Sequence, residues 1–271
     1  MRKTTPSVHF LGETNHDIVG IRGYLDELGV PDWDTCDVSS AERITEIMGR
    51  ACYKAFGVDL NANLTKVREG NGNYLYNVIK SGHGSVFEHC TATFMFNNVS
   101  RVFTHELVRH RAGTAMSQES LRFVRLTDLG FWIPKQVLVE ARGLVGDERV
   151  DKAIELIYKT VENLEAVQIE LADLLGLNEE GIDFGYKKRV TSFNRRVAPI
   201  GLSTAIGFTM NHRAMRHIIT MRTSRYAEEE IRLVFAQVAE IAKKRWPNIY
   251  ADFKVEIVDG IGEYVPEFPK I

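Results

Sequence analysis

The alternation of apolar and polar positions divides the chain into short extended stretches and longer helical ones. "TATFMFNNVS" puts Ala92, Phe94 and Phe96 on one side and Thr and Asn on the other, the period of two that a pleated strand imposes. "SVHFLGE" and "STAIGFTM" read as further strands, "LRFVRL" and "GFWIP" as short extended pieces. "SAERITEIMGRACYKAF", with Ser39 and Ser40 as candidate caps, has helical spacing. "GNGNYLYNVIKSGHGS" reads as a turn, a helix and a Gly-rich exit. "RVFTHELVRHR" reads as a helix with Gly113 as its stop. The longest helix starts near Val150, where Ile154, Ile157, Val161, Leu164, Val167, Leu171 and Leu174 recur at gaps of three and four in one stripe. A helix from Asn211 to about Thr223 and a last one carrying Ile231, Val234, Phe235, Val238 and Ile241 follow; the tail after Pro247 reads as irregular.

These elements predict an α+β fold, a mixed sheet with long helices. No Pro/Gly/Ser-rich linker interrupts it, so residues 1–271 are expected to form a single domain. Composition adds little: 44% hydrophobic and 26% charged residues are ordinary for a globular chain. A net charge of −2 offers no overall field to nucleic acid or membrane, so any anion must be met by a local cluster of Arg. No apolar run approaches the roughly 20 residues of a membrane span, and the N-terminus lacks the apolar core of a signal peptide. Cys36, Cys52 and Cys90 form no paired spacing, which points to reduced thiols and the cytoplasm.

The chemistry concentrates in "ELVRHRAGTAMSQESLRF", residues 106–123. His105 and His110 suggest a zinc-protease helix, but that motif needs histidines four apart. Five apart, they diverge by about 140° on a helix; His212 and His217 share the spacing, and no metal is expected. On a continuous helix Arg109 and Arg111 also point about 200° apart, so they serve different ligands, different parts of one, or different subunits. The loop of small residues after them lets a ligand approach backbone. "SGHGSVFEH", residues 81–89, adds His83, Ser85, Glu88 and His89. "NHRAMRHIITMRTSRYAEEEIR", residues 211–232, adds Asn211, Arg213, Arg216, Arg222, Arg225 and Arg232.

Together these stretches resemble the flavin-dependent thymidylate synthases. Their signature is Arg-His-Arg, a spacer, then Ser-x-Arg-Tyr/Phe, here Arg109-His110-Arg111 and Ser120-Leu121-Arg122-Phe123. Gly82 to His89 match an upstream Gly-His motif; Asn211, Arg213, Arg222 and Ala227 to Arg232 match a downstream one. Three departures stand out. Eight residues rather than seven separate Arg111 from Ser120, the extra one lying within Ala112 to Met116. Glu106 stands where the family often has Gln, and Glu228 replaces another Gln.

The resemblance implies FAD-dependent methylation of dUMP to dTMP, with methylenetetrahydrofolate as carbon donor and NADPH as reductant. It also implies a homotetramer with FAD at subunit interfaces. It assigns Ser85, Arg109, His110, Arg111, Ser117, Asn211, Arg213 and His217 to the flavin. Glu106, Gln118, Glu119, Ser120, Arg122 and Arg195 (or its neighbour Arg196) go to the nucleotide, with Arg222 against the uracil and His83 near flavin and folate. Cys90, the one cysteine beside a motif, reads as a buried structural thiol. UMP or another uridine nucleotide is the alternative substrate. An Arg-rich nucleic-acid-binding protein is the alternative of another class, disfavoured by the net charge.

Overall fold

Phe94 and Phe96 are wholly buried. The structure, a computed structural model, describes residues 1–35, 37–60, 62–63, 66–134 and 148–271; Cys36 falls outside them. The two phenylalanines lie on β3 (Thr91–Ser100), which pairs antiparallel with β6 (Ser203–Asn211), setting Phe94 opposite Phe208 and Phe96 opposite Ile206. β2 (Ser7–Glu13) flanks β3 and β4 (Thr114–Gln118) flanks β6, in the order β2-β3-β6-β4. This sheet is antiparallel throughout. Among the described residues parallel pairing is confined to β1 (Arg2–Lys3) with β5 (Gly130–Phe131), so the expected α+β class holds with less mixed pairing than the sequence suggested.

One face of the sheet is apolar because Ala92, Phe94, Phe96, Ile206, Phe208 and Met210 all point the same way. α2 (Ser40–Tyr53), α3 (Asn71–Lys80), α7 (His212–Arg222) and α8 (Glu229–Arg245) supply the side chains packed against it. Each fully buried Phe or Ile contributes about 1.5–3 kcal/mol. Ser39 caps α2 in a reciprocal pair with Glu42. Cys90 is buried, and the apolar surroundings push its thiol up to about 12, as a structural cysteine requires.

Several segments differ from the sequence reading. α4 (Arg101–Leu107) stops before the Arg-His-Arg triplet. The chain tightens there, with His110 N–H donating to the Leu107 carbonyl at 3.0 Å and the Thr114 hydroxyl to the His110 carbonyl at 2.7 Å. Gly113, at φ +69°, therefore serves the turn into β4 rather than a helix end. Much of the expected small-residue loop is β4 itself, and "LRFVRL" is a series of turns. α1 (Ile18–Glu27) was not foreseen: it buries only Leu25, so it carries no apolar stripe. α5 (Glu148–Leu174) is present, yet Ile157, Val167 and Leu174 of its expected stripe are exposed. α6 (Phe184–Asn194) completes the helices described. The tail is not irregular. It forms a hairpin of β7 (Phe253–Val258) and β8 (Ile261–Pro266) around Asp259 and Gly260, both at positive φ. Among the described residues no helix is long and apolar enough to cross a membrane.

Candidate active site

α7 divides its residues by face. His212, Met215, Arg216, Ile218 and Ile219 turn into the core, while Arg213 and His217, four apart, turn outward toward the Arg-His-Arg turn. Between them opens a cavity of about 480 Å³ lined by Arg109, His110, Arg111, Ala112, Gly113, Asn211, Arg213, Ala214, His217, Ile218 and Glu88. That volume suits a small-molecule site. Six of the eight residues expected to meet a flavin share it. Ser85 is exposed on the short 3-10 turn Gly84–Glu88. Ser117 is exposed on β4, opposite Gly207. Neither lines the cavity.

Asn211 ends β6 and caps α7, its Oδ1 accepting from Ala214 N–H at 2.8 Å, so its amide nitrogen is left to the cavity. Only glycine fits at 113: a Cβ there would lie 2.5 Å from Asn211 Nδ2. Arg213 pairs with Glu88; Glu88 belongs to the Gly-His motif, and its charge beside a helical Arg was a signal the sequence reading left unused. Arg109 and Arg111 are exposed, and no ion pair or hydrogen bond engages their guanidinium groups among the described residues. Two uncompensated guanidinium groups beside close-packed backbone fit an anionic group such as a dinucleotide pyrophosphate.

Behind this cavity Arg222, the last residue of α7, donates from Nε to His110 Nε2 at 2.8 Å, from Nη1 to Glu106 Oε2 at 2.7 Å and from Nη2 to the Glu106 carbonyl at 3.2 Å. His110 also meets His217 edge-on, ring centroids 6.1 Å apart. Burial, with the Arg222 cation and His217 adding to it, lowers the His110 ring to about 4. Glu228 caps α8, accepting from Glu230 and Ile231 N–H, and burial raises its carboxyl. Burial pushes Glu230, which accepts from Ser100 N–H at 2.6 Å, up to about 7.

The residues expected at the nucleotide are more scattered. Gln118 lines a second cavity of about 280 Å³ with Arg101, Thr104, His105, Val108 and Ile200, donating to Thr104 Oγ1 at 2.8 Å. The Glu119 carbonyl accepts from Arg101 at 2.7 Å. Ser120 Oγ accepts from Arg122 N–H at 3.3 Å. Arg122 and Arg195 are exposed, and neither lines a cavity with Gln118. Arg101 was not foreseen; burial lowers its pKa, opposed by Glu119 and reinforced by Arg195. His83 lies outside both cavities, edge-on to Tyr53 with centroids 5.2 Å apart. Arg216 and Arg232 serve packing instead. Arg216 is fully buried against Asp252 at 2.8 and 2.9 Å, and Arg232 donates to the Val258 carbonyl at 2.8 Å. Among the described residues no group of three or more His, Cys, Asp or Glu is arranged to hold a metal.

A protein-family model described as thymidylate synthase complementing protein matches residues 36–248. The chain is 34% identical over 236 residues to a flavin-dependent thymidylate synthase of Mycobacteroides abscessus, covering 84% of this chain and 86% of that one. It is 33% identical over 243 residues to another from Corynebacterium efficiens, covering 87% and 90%. A crystal structure of a UMP/dUMP methylase, PolB, from Streptomyces cacaoi bound with 5-Br dUMP has the same fold. Its TM-score is 0.62 at 19% identity, over 92% of this chain and 95% of that one.

Proposed function

Because the chain belongs to the flavin-dependent thymidylate synthases and is thereby a flavin-using methyltransferase, we propose that it converts dUMP to dTMP. Methylenetetrahydrofolate gives the carbon and NADPH the electrons. FAD, when bound, relays those reducing equivalents. The observation that carries this reading is the cavity itself, where Arg109 and Arg111 stand unpaired beside His110, Asn211, Arg213 and His217. Guanidinium forks there hold the pyrophosphate. The Asn211 amide and the backbone at Gly113 give close polar contact, and Ser85 and Ser117 extend the flavin contacts.

Arg222 lies against the pyrimidine. A cation there stabilises negative charge at the ring oxygen and nitrogen and so raises nucleophilicity at C5. Gln118, Glu119, Ser120, Arg122 and Arg195 hold the sugar and phosphate, with Glu106 beside Arg222 and His83 toward the folate. These groups lie apart in one chain, which supports a site completed between copies in a homotetramer. Exposed Ile157, Leu174, Phe184 and Ile200 are apolar surface that such an assembly would cover. The enzyme works in the cytoplasm on small molecules. The test is turnover of dUMP against UMP with FAD, NADPH and methylenetetrahydrofolate, read by product chromatography. dTMP is expected; methylation of UMP alone would move the substrate to the ribonucleotide, and no uptake of FAD would overturn the reading.

A further inference from the structure

The carboxylate of Glu106 is spent on the protein. It sits in the last turn of α4, and Arg222 ends α7; the pair is largely withdrawn from solvent, at 28% and 15% exposure. Three separate contacts fix the guanidinium plane: Nη1 on the carboxylate, Nη2 on the Glu106 carbonyl and Nε on His110 Nε2. Arginine has no acceptor, so His110 Nε2 must be unprotonated and the ring carries its proton on Nδ1. Two other carboxylates stand close by at the start of α8, but both are engaged elsewhere. Glu228 caps the helix, and Glu230 takes the Ser100 N–H and hydroxyl. Among the described residues Glu106 is therefore the carboxylate that balances Arg222.

We propose that Glu106 is a positioning residue: its carboxylate holds Arg222 against His110, so that the guanidinium behind the flavin-side cavity is oriented before any ligand binds. Its effect on turnover rests on the reading of Arg222 given above; its effect on His110 does not. Glu106 acts through Arg222, and its amide counterpart retains an oxygen to accept the same bond.

The direction of one titration tests this. The groups facing His110 are Arg222 and His217, and those facing Glu106 are Arg222, Glu228 and Glu230. In Glu106→Ala, a guanidinium that stays in place leaves His110 facing an uncompensated cation, and the ring titrates at or below its wild-type position. A guanidinium that is released relieves His110, and the ring titrates higher, toward the histidine value of about 6.5. Histidine-labelled protein without added nucleotide, followed by NMR against pH, is expected to show the upward shift in Glu106→Ala. It should show a titration at or below that of wild type, with the Nδ1–H tautomer kept, in Glu106→Gln, and no further shift when Glu106→Ala is added to Arg222→Ala. In turnover, Glu106→Ala should lower kcat by roughly 10- to 100-fold, the scale of a misplaced group, with a smaller change in KM. An unshifted or lowered His110 titration in folded Glu106→Ala, checked by its unfolding transition, overturns the proposal even if dTMP is made. Failure of the wild type to make dTMP leaves the titration result standing and counts against the proposed function alone.

Discussion

Arg216 and Arg222 share one helix and meet opposite fates. Arg216 is fully buried in a fork with Asp252, whereas Arg222 stands behind the cavity, held by His110 and Glu106. Removing one partner of a buried pair strands the other, so Asp252→Ala should cost about 3–5 kcal/mol, read as a lower urea midpoint with unchanged slope. Arg222→Ala should lower turnover by at least about 100-fold while flavin affinity, measured by absorbance titration, changes less than tenfold. Normal turnover in that variant would remove Arg222 from the chemistry. The sequence could place both arginines on a helix but could not say which one faced inward. That depended on Asp252, in the turn just before β7 and beyond any local pattern. The motif positions of Arg109, His110 and Arg111 were legible, but their geometry was not. The helix that made them diverge ends at Leu107, in a turn held by backbone bonds rather than by a side-chain pattern.

At the scale of elements, the strands and helices that bury a continuous face were readable, because a period of two or of 3.6 is the imprint of burial itself. α1 escaped because a helix lying on the surface with one buried residue leaves no such imprint. The C-terminal hairpin escaped for a different reason. Phe253, Val255 and Ile257 alternate with Lys254 and Glu256 ahead of Asp259-Gly260, a strong two-residue turn signal that was passed over. α8 gives Glu228 a local role. Its carboxylate caps the helix, and an amide oxygen accepts the same bonds. Glu228→Gln should therefore leave the thermal midpoint nearly unchanged, and Glu228→Ala should cost about 0.5–2 kcal/mol. Equal losses in the two would show that charge, not capping, matters there.

For the whole molecule, buried histidines set the acid limit. His212 is wholly buried, and burial holds its ring down to about 3; His110 lies at about 4. An unfolded chain takes up these protons near pH 6.5 and the folded one does not. Stability should therefore fall as pH drops from 6.5 toward 3, by up to roughly 4 kcal/mol from His212. Glu230 works the other way. With its folded value raised to about 7, it contributes stability below about pH 4.5 that is lost as pH rises through 7. Thermal midpoints from pH 4 to 8 should show a flatter acid limb in His212→Gln than in wild type; parallel limbs would shift the acid sensitivity to other groups. The scatter of Gln118, Arg122 and Arg195 also belongs to this scale. A motif records residue types and their spacing along the chain, not the distances between them in the fold.

The register of β4 converts chain length into chemistry. Thr114 to Gln118 pair with Met210 to Ile206, and the Gly113 carbonyl takes the Asn211 N–H at 2.9 Å, so the strand is pinned at its start. Side chains on a strand alternate sides, so the parity of the run between Arg111 and Ser120 decides whether Gln118 or Glu119 faces Thr104. Removing Ala112, a one-residue change, leaves two outcomes. If the turn absorbs the loss, Gln118 keeps its bond to Thr104 and little changes. If the strand slips, every side chain on β4 changes sides, and a carboxylate takes the place of an amide beside Arg101. Nucleotide preference, measured on that deletion, reports which of the two occurs.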